Sequence, residues 1–295
     1  MPPRFIKLHG FGNDYIVIES RDLALAEIVS TAQLGEFARR ICNRHYGAGA
    51  DGIAVVSPSE VQDADFHVRI FNPDGSEASL SGNGTRCAAA YLYYKQLWSA
   101  EELRLNTRAG IKLYTLREQT DPGRYVFDSE LGQPKFDSKS IPMVTEEPLE
   151  KVVDYELGVD GESFPVTALQ MGNPNCCIFV DNFDSLDWRQ IGRRIENHQQ
   201  FPERTNVVFV RVENRNIIEL RIWERGVGET EASGTCSCAA AVAAMVKGET
   251  ERLVSVLMPG GTAKIQWRGD AADGEVVITG TAEVIYGGEW LTRSV

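Results

Sequence analysis

No run of apolar residues in the sequence approaches the roughly 18 that a membrane-crossing helix requires. The opening residues, Met1-Pro2-Pro3-Arg4-Phe5-Ile6-Lys7-Leu8-His9-Gly10, hold no apolar stretch of the kind found in a secretory signal. A cytoplasmic location is therefore the expectation, and in a reducing compartment the 6 cysteines read as thiols rather than as a disulfide framework. No Cys-x-x-Cys occurs, and neither Cys42 with His45, nor Cys176-Cys177, nor Cys236 with Cys238 has the spacing of a zinc set. Cys87 and Cys238 lie inside apolar helical stretches and read as packing residues. Histidine is scarce: His9, His45, His67 and His198 are scattered, without the neighbours of a catalytic triad. Basic residues are outnumbered, 30 Lys and Arg against 42 Asp and Glu, for a net charge of −12. That balance argues against nucleic-acid and anionic-membrane partners, which need a basic face, but not against a local pocket for a small anion. The glycines of Gly82-Asn83-Gly84-Thr85-Arg86 are not followed by the Lys-Ser/Thr of a phosphate loop. Gly47-Ala48-Gly49-Ala50-Asp51-Gly52 lacks the dinucleotide spacing.

What the sequence does have is length enough for about two domains, ordinary globular composition with 43% apolar residues, and an internal repeat. Arg69-Ile70-Phe71 returns as Arg221-Ile222-Trp223, an offset of 152 residues. At that same offset Glu77 meets Glu229, Ser81 meets Ser233, Gly82 meets Gly234, and Ala88-Ala89 meets Ala240-Ala241. Gly12-Asn13 returns as Gly172-Asn173 at the slightly longer offset of 160. Several matches in one register point to two copies of one unit, joined near residues 118–123.

Each copy follows one plan. A strand over 67–72 leads through the turn Pro73-Asp74-Gly75-Ser76 to Ser81-Gly82-Asn83-Gly84-Thr85 and a helix rich in alanine. In the second copy a strand over 219–223 leads through a turn at 226–228 to Ser233-Gly234-Thr235 and the helix of 238–245. Ser or Thr just ahead of such a run is a helix N-cap signature. Apolar residues nearly all round each helix mean that it is buried. Two surface helices, over 31–42 and 188–197, interrupt a series of short strands separated by turns. The fold class that follows is α+β: two pseudo-symmetric domains, each a mostly antiparallel sheet or barrel wrapped around a central helix.

The mouth of each buried helix is the chemically interesting place. Its first-turn N–H groups are unpaired and carry partial positive charge, a ready anion site. Two such mouths, one per copy, facing each other across a cleft would suit a small ligand touched on two sides. Taken singly, Ser81 and Ser233 are also ordinary caps, and Asn13, Asn72, Asn173 and Asn206 ordinary turn residues. As a group with Glu224 and Arg225, they suit a pocket that grips carboxylates in bidentate fashion and accepts from ammonium groups.

The stretches that carry these residues resemble the diaminopimelate epimerase family along essentially the whole chain. They are His9-Gly10-Phe11-Gly12-Asn13-Asp14-Tyr15, Gly49-Ala50-Asp51-Gly52, Phe71-Asn72-Pro73-Asp74-Gly75-Ser76-Glu77, Ser81-Gly82-Asn83-Gly84-Thr85-Arg86-Cys87, Gly172-Asn173-Pro174, Phe201-Pro202-Glu203-Arg204-Thr205-Asn206-Val207 and Trp223-Glu224-Arg225-Gly226-Val227-Gly228-Glu229-Thr230. The resemblance implies a first domain of residues 1–122 plus 281–295, the last strand returning to it, and a second of 123–280. It implies a two-base isomerase acting on a small amino acid: one group removes the α-proton and a second returns one on the opposite face. The amides of Gly82, Asn83, Gly234 and Thr235 would hold the α-carboxylate. Asn72, Asn173, Asn206 and Arg225 would hold the distal end, Glu224 would meet an ammonium group, and Asn13 would line the pocket. No cofactor, neither pyridoxal phosphate nor a metal, is implied, and a homodimer is the expected assembly.

The chain departs from the family pattern at the reacting positions. The family uses two cysteines as its bases, and Ser81 and Ser233 stand there. A thiol titrates near pH 8.5, lower at a helix N-terminus, whereas a hydroxyl is a far weaker acid and needs an adjacent base. Asn175 stands where the family has histidine, and Cys236 where it has glycine. Three readings stay open. The serines are isosteric replacements that trap bound substrate, or the chain epimerises with other bases, Glu77 and Glu229 being candidates, or it binds an amino acid without inverting it.

Overall fold

A computed structural model describes residues 1–269 and 274–291. The chain divides into two compact units, Met1–Ser129 with Gly280–Val295, and Glu130–Thr279. Residues 292–295, which the sequence reading gives to the first domain, lie outside the described part.

In the first unit β1 (Arg4–Gly10) and β2 (Asn13–Glu19) form a hairpin, followed by the short helix α1 (Ser20–Ala24) and by α2 (Thr31–Ile41). Then come β3 (Gly52–Pro58), β4 (Phe66–Phe71), the two-residue β5 (Glu77–Ala78) and α3 (Gly82–Tyr94), and finally β6 (Glu102–Thr107), β7 (Gly110–Asp121) and β8 (Arg124–Gly132). The second unit begins with β9 (Val152–Val159) and then repeats the series. β10 (Glu162–Gln170), β11 (Pro174–Phe179), a 3₁₀ turn, α4 (Trp188–Glu196), β12 (Asn206–Asn214), β13 (Ile217–Glu224) and β14 (Gly228–Thr230) lead to α5 (Gly234–Val246). β15 (Leu253–Met258) and β16 (Gly261–Trp267) follow, and β17 (Val276–Glu289) starts at the end of this unit and continues as the last strand of the first.

The pairing confirms the duplication more sharply than the sequence does. β2 runs parallel to β3 and β4 parallel to β6; at the equivalent places β11 runs parallel to β12 and β13 parallel to β15. The pairs β1–β17, β1–β2, β9–β10, β10–β11, β12–β13, β13–β14, β15–β16, β16–β17, β3–β4, β4–β5, β6–β7 and β7–β8 are antiparallel. In the first unit the ladder β1-β2-β3-β4-β6-β7-β8 closes through β17, which pairs with both β8 and β1, and so forms a barrel. The polar stretch 118–123 is the end of β7 and the turn into β8, not a linker. An exposed ribbon end shows no apolar alternation, because neither of its faces is buried.

Each unit winds its strands around one alanine-rich helix. Residues from Asn83 to Tyr93 of α3 are buried, and Tyr91, Leu92 and Tyr93 pack with Leu103, Tyr114 and Phe127 of the barrel. In α5 every residue from Cys236 to Ala244 is buried. Small side chains let strands approach from all sides, which explains why neither helix has a polar face. The other long helices lie outside. Ser30 and Gln33 form a reciprocal capping box on α2, whose Leu34, Phe37, Ala38 and Ile41 pack against Ile16, Ile18 and Ile53. Asp187 caps α4 by accepting from the Gln190 amide.

One contact of α2 bears on the site. A Cβ at Gly35 would lie 2.5 Å from the carbonyl oxygen of Gly75, in the turn that carries Asn72. Backbone meets backbone there, so no side chain can yield. Gly35→Ala is expected to lower stability by about 2–3 kcal/mol, read as a fall of several degrees in melting temperature; an unchanged melting temperature would show that α2 slides at no cost.

Candidate active site

The mouth of α3 is built around Ser81, the N-cap residue, in extended conformation. Its Oγ accepts from the Gly84 amide at 3.1 Å and from the Tyr15 hydroxyl at 2.9 Å. Thr85 Oγ1 donates back to the Ser81 carbonyl at 2.7 Å and also meets the Tyr114 hydroxyl. The N–H groups of Gly82 and Asn83, in the first turn, have no carbonyl of their own helix to reach. Asn83 Nδ2 donates to Asn13 Oδ1 at 3.4 Å, and Arg86 Nη1 to Asn83 Oδ1 at 3.0 Å. Asn72, just past β4, donates from Nδ2 to Ser76 Oγ at 2.9 Å.

Asn13 is oriented in turn by a charged cluster. Its Nδ2 donates to Asp51 Oδ2 at 3.0 Å, and Arg44 joins Asp51 to Asp14, donating to both oxygens of Asp14. Lys7 Nζ lies 2.7 Å from Asp14. Burial pushes the Asp14 carboxyl up, but the hydrogen bonds from Arg44 and Lys7 outweigh it and hold it at about 2, below the ordinary 3.8. A carboxylate whose pKa falls on folding stabilises the protein above its unfolded pKa, and that stability is lost as pH drops through the folded value. Unfolding free energy should therefore fall between about pH 4 and pH 2 by on the order of 2 kcal/mol more in the parent than in Asp14→Asn. Denaturant titrations across that range check it; parallel curves would remove Asp14 from acid stability.

The mouth of α5 is assembled differently. Ser233 is again the extended N-cap, but its side chain makes no cap bond, and it is buried where Ser81 is only half-buried. Its hydroxyl interacts with Glu224, the last residue of β13. Thr230 Oγ1 donates to Glu224 Oε1 at 2.7 Å. Burial raises the Glu224 carboxyl above its ordinary range, and the bonds from Thr230 and Ser233 offset part of this. Ser237, equivalent to Thr85, donates to the Ser233 carbonyl at 2.6 Å. Gly234 and Thr235 present the first-turn amides.

A ladder of asparagines stands beside this mouth. Asn175 Nδ2 reaches the carbonyl of Asn173 at 2.7 Å and its Oδ1 at 3.1 Å; Asn206 Nδ2 donates to Asn175 Oδ1 at 3.1 Å; Asn206 Oδ1 accepts from the Arg225 amide at 2.9 Å. Asn206 thus fixes the backbone from which the exposed Arg225 side chain extends, and Arg225 Nη1 donates to the Glu203 carbonyl at 3.0 Å. Glu196 steadies the same turn by accepting from the Gly226 amide and Trp223 Nε1, each at 2.8 Å.

Within the first unit the structure brings Asn13, Ser81, Gly82 and Asn83 to one helix mouth. Within the second it gathers Ser233, Gly234, Thr235 and Glu224 at another, with Asn173, Asn206 and Arg225 joined in one hydrogen-bonded ladder. Glu77 and Glu229, the alternative bases, are held elsewhere. Arg69 grips Glu77 at 2.8 and 3.0 Å, and Arg189 grips Glu229 at 2.7 and 2.8 Å. Arg69 holds the Glu77 carboxyl below its usual range. A carboxylate tied bidentately to a guanidinium is a poor proton acceptor, so these two are structural pins at matching positions of β5 and β14. Sequence reasoning missed Tyr15, Asp51, Arg44 and Thr230; the repeat offset carried no signal for them, because their partners differ between the two halves.

Comparison with solved structures identifies a class first. A PhzF-family phenazine biosynthesis protein of Bacillus anthracis superposes with a TM-score of 0.69 at 18% identity, over 99% of this chain and 100% of that one. A hydroxyproline epimerase from Agrobacterium vitis does so with a TM-score of 0.65 at 14% identity, over 97% and 90%. The duplicated barrel fold is therefore that of a class of proteins that includes amino-acid epimerases. The family model of diaminopimelate epimerase matches residues 5–136 and 167–285. The chain is 40% identical over 283 residues to the diaminopimelate epimerase of Desulfitobacterium hafniense, covering 96% of each. It is 41% identical over 288 residues to that of Moorella thermoacetica, covering 97% of this chain and 98% of the relative. The chain belongs to the diaminopimelate epimerase family.

Proposed function

We propose that this protein is an isomerase that interconverts L,L- and meso-diaminopimelate, a step in lysine biosynthesis, by α-proton abstraction at one helix mouth and proton return at the other. Family membership over nearly the whole chain carries the reading. The chemistry at each mouth supports it. Amides of Gly82 and Asn83, and of Gly234 and Thr235, can bind the α-carboxylate, which becomes more electron-rich as the α-carbon loses its proton; stabilisation that grows toward the transition state lowers the barrier. Glu224 suits an ammonium group. Asn72, Asn173, Asn206 and Arg225 suit the second amino-acid end, and Asn13 lines the pocket.

Two serines at the reacting positions limit the rate, since a hydroxyl yields its proton far less readily than a thiol. Incubation with the L,L-substrate in deuterated water, followed by proton NMR, tests the function: loss of the α-proton signal supports epimerase chemistry, and unaltered spectra beside saturable binding oppose it. Arg225→Ala should weaken binding of dicarboxylic amino acids by about 10–100-fold while leaving monocarboxylic ones nearly unchanged, measured by calorimetry. Equal losses would remove Arg225 from the distal-carboxylate role. A cytoplasmic location and a homodimer belong to the same proposal, the latter open to sedimentation velocity. No helix among the described residues is long and apolar enough to cross a membrane.

A further inference from the structure

The two serines occupy equivalent positions with unlike surroundings, and the difference lies in one aromatic ring. Tyr15 is buried, and its ring lies in a slot cleared by two glycines. A Cβ at Gly52, its neighbour on β3, would stand 2.7 Å from Tyr15 Cε1, and a Cβ at Gly84, in the first turn of α3, would stand 2.8 Å from the same atom. Register identifies the counterparts in the other half. Tyr15 faces Gly52 across β2 and β3 as Asn175 faces Asn206 across β11 and β12, and Gly84 answers to Cys236 at the offset of the serines. One half therefore holds a large ring between two glycines, and at the matching places the other has Asn175, Asn206 and Cys236. The exchange of volumes keeps both interiors filled, and it accounts for Asn175 and Cys236 departing from the family pattern together.

Filling space alone would not require a phenol. The Tyr15 hydroxyl donates to Ser81 Oγ at 2.9 Å, and the Gly84 amide donates to it at 3.1 Å, so two donors converge on one oxygen at a helix N-terminus. That environment favours negative charge on the atom at position 81. The atom at position 233 has no cap donor and has the Glu224 carboxylate beside it, which favours the protonated form. We infer that Tyr15 is a positioning residue: its phenol supplies the second donor that holds the acid–base group at position 81 and biases that position toward its deprotonated form. The inference rests on the proposed two-base reaction, and its test does not.

A thiol placed at position 81 by Ser81→Cys reports the local bias directly. The native cysteines are all buried, so a small alkylating agent, iodoacetamide, reads the new thiol, with the labelled peptide assigned by mass spectrometry. The pH midpoint of the alkylation rate should rise by about one unit when Tyr15→Phe is added. Tyr15→Phe keeps the ring in its slot, and an unchanged circular dichroism spectrum and melting temperature show that the fold is kept. A midpoint that does not move overturns the inference, whether or not the protein epimerises anything. In the Ser81→Cys/Ser233→Cys background, the same change should lower kcat by about tenfold with KM unchanged; a rise in KM alone would assign Tyr15 to substrate binding instead and would also overturn it.

Discussion

Ser81→Cys combined with Ser233→Cys is expected to raise epimerisation by roughly three decades or more over the parent chain. The size follows from acid strength. A thiol near pH 8.5, lowered further at a helix mouth, is partly ionised at neutral pH, whereas a hydroxyl in the same place is not. Each position is otherwise furnished within its own half: first-turn amides at each mouth, Tyr15 and the Gly84 amide at position 81, and Glu224 with Thr230 beside position 233. Turnover of L,L-diaminopimelate to the meso form, followed by chiral chromatography, checks it. No gain in the double variant would mean that the surroundings have diverged with the bases, and Asn175, which ties Asn173 to Asn206, would be the first place to look.

The second large effect concerns Glu224. In the double-cysteine background Glu224→Gln should lower kcat by about 10²–10⁴-fold, because the amide keeps the bond from Thr230 but loses the charge that meets an ammonium group and faces position 233. Stability should move the other way. Burial raises this carboxyl above its ordinary range. A raised folded pKa gives stability that is full below the unfolded value and is lost as pH rises through the folded one. The parent should therefore weaken between mildly acidic pH and pH 8, and Glu224→Gln should flatten that slope and be the more stable of the two at pH 8. Denaturant unfolding at pH 5 and pH 8 gives the stability, and steady-state kinetics gives the activity. A variant both active and no more stable would show that Glu224 is neither desolvated nor in contact with substrate.

Much of the fold was legible because the repeat is written in residues that both halves need for the same reason. Serine and glycine ahead of a run of alanines mark the start of a buried helix in both halves, and Arg69-Ile70-Phe71 and Arg221-Ile222-Trp223 mark the same central strand twice. β1, β7 and β9 were harder. Charged residues interrupt each of them, such as Arg4 and Lys7, Arg117 and Glu118, or Asp154 and Glu156, and pairing with neighbours makes them strands, as tertiary context overrides propensity. At the site, the helix mouths and the asparagines were readable as types, but not what holds them. Lys7, Asp14, Arg44 and Asp51 come from separate segments and form one cluster only after β1, β2 and the loop before β3 fold together. Glu77 and Glu229 looked alike as candidate bases because both repeat at the same offset; their arginine partners, one on β4 and one on α4, explain the repetition by structure instead. Tyr15 gave no periodic signal at all, since its place depends on two absent side chains, those of Gly52 and Gly84.

Deuterium wash-in by the two single variants, Ser81→Cys and Ser233→Cys, bears most directly on the idea that each half supplies one base to an opposite face of the same α-carbon. Each variant is incubated in deuterated water with L,L- and, separately, meso-diaminopimelate, and the label is located by NMR. One variant should exchange only the α-proton of the L centre and the other only that of the D centre, with no inversion by either. Exchange of the same centre by both variants would contradict the division of labour between the two halves.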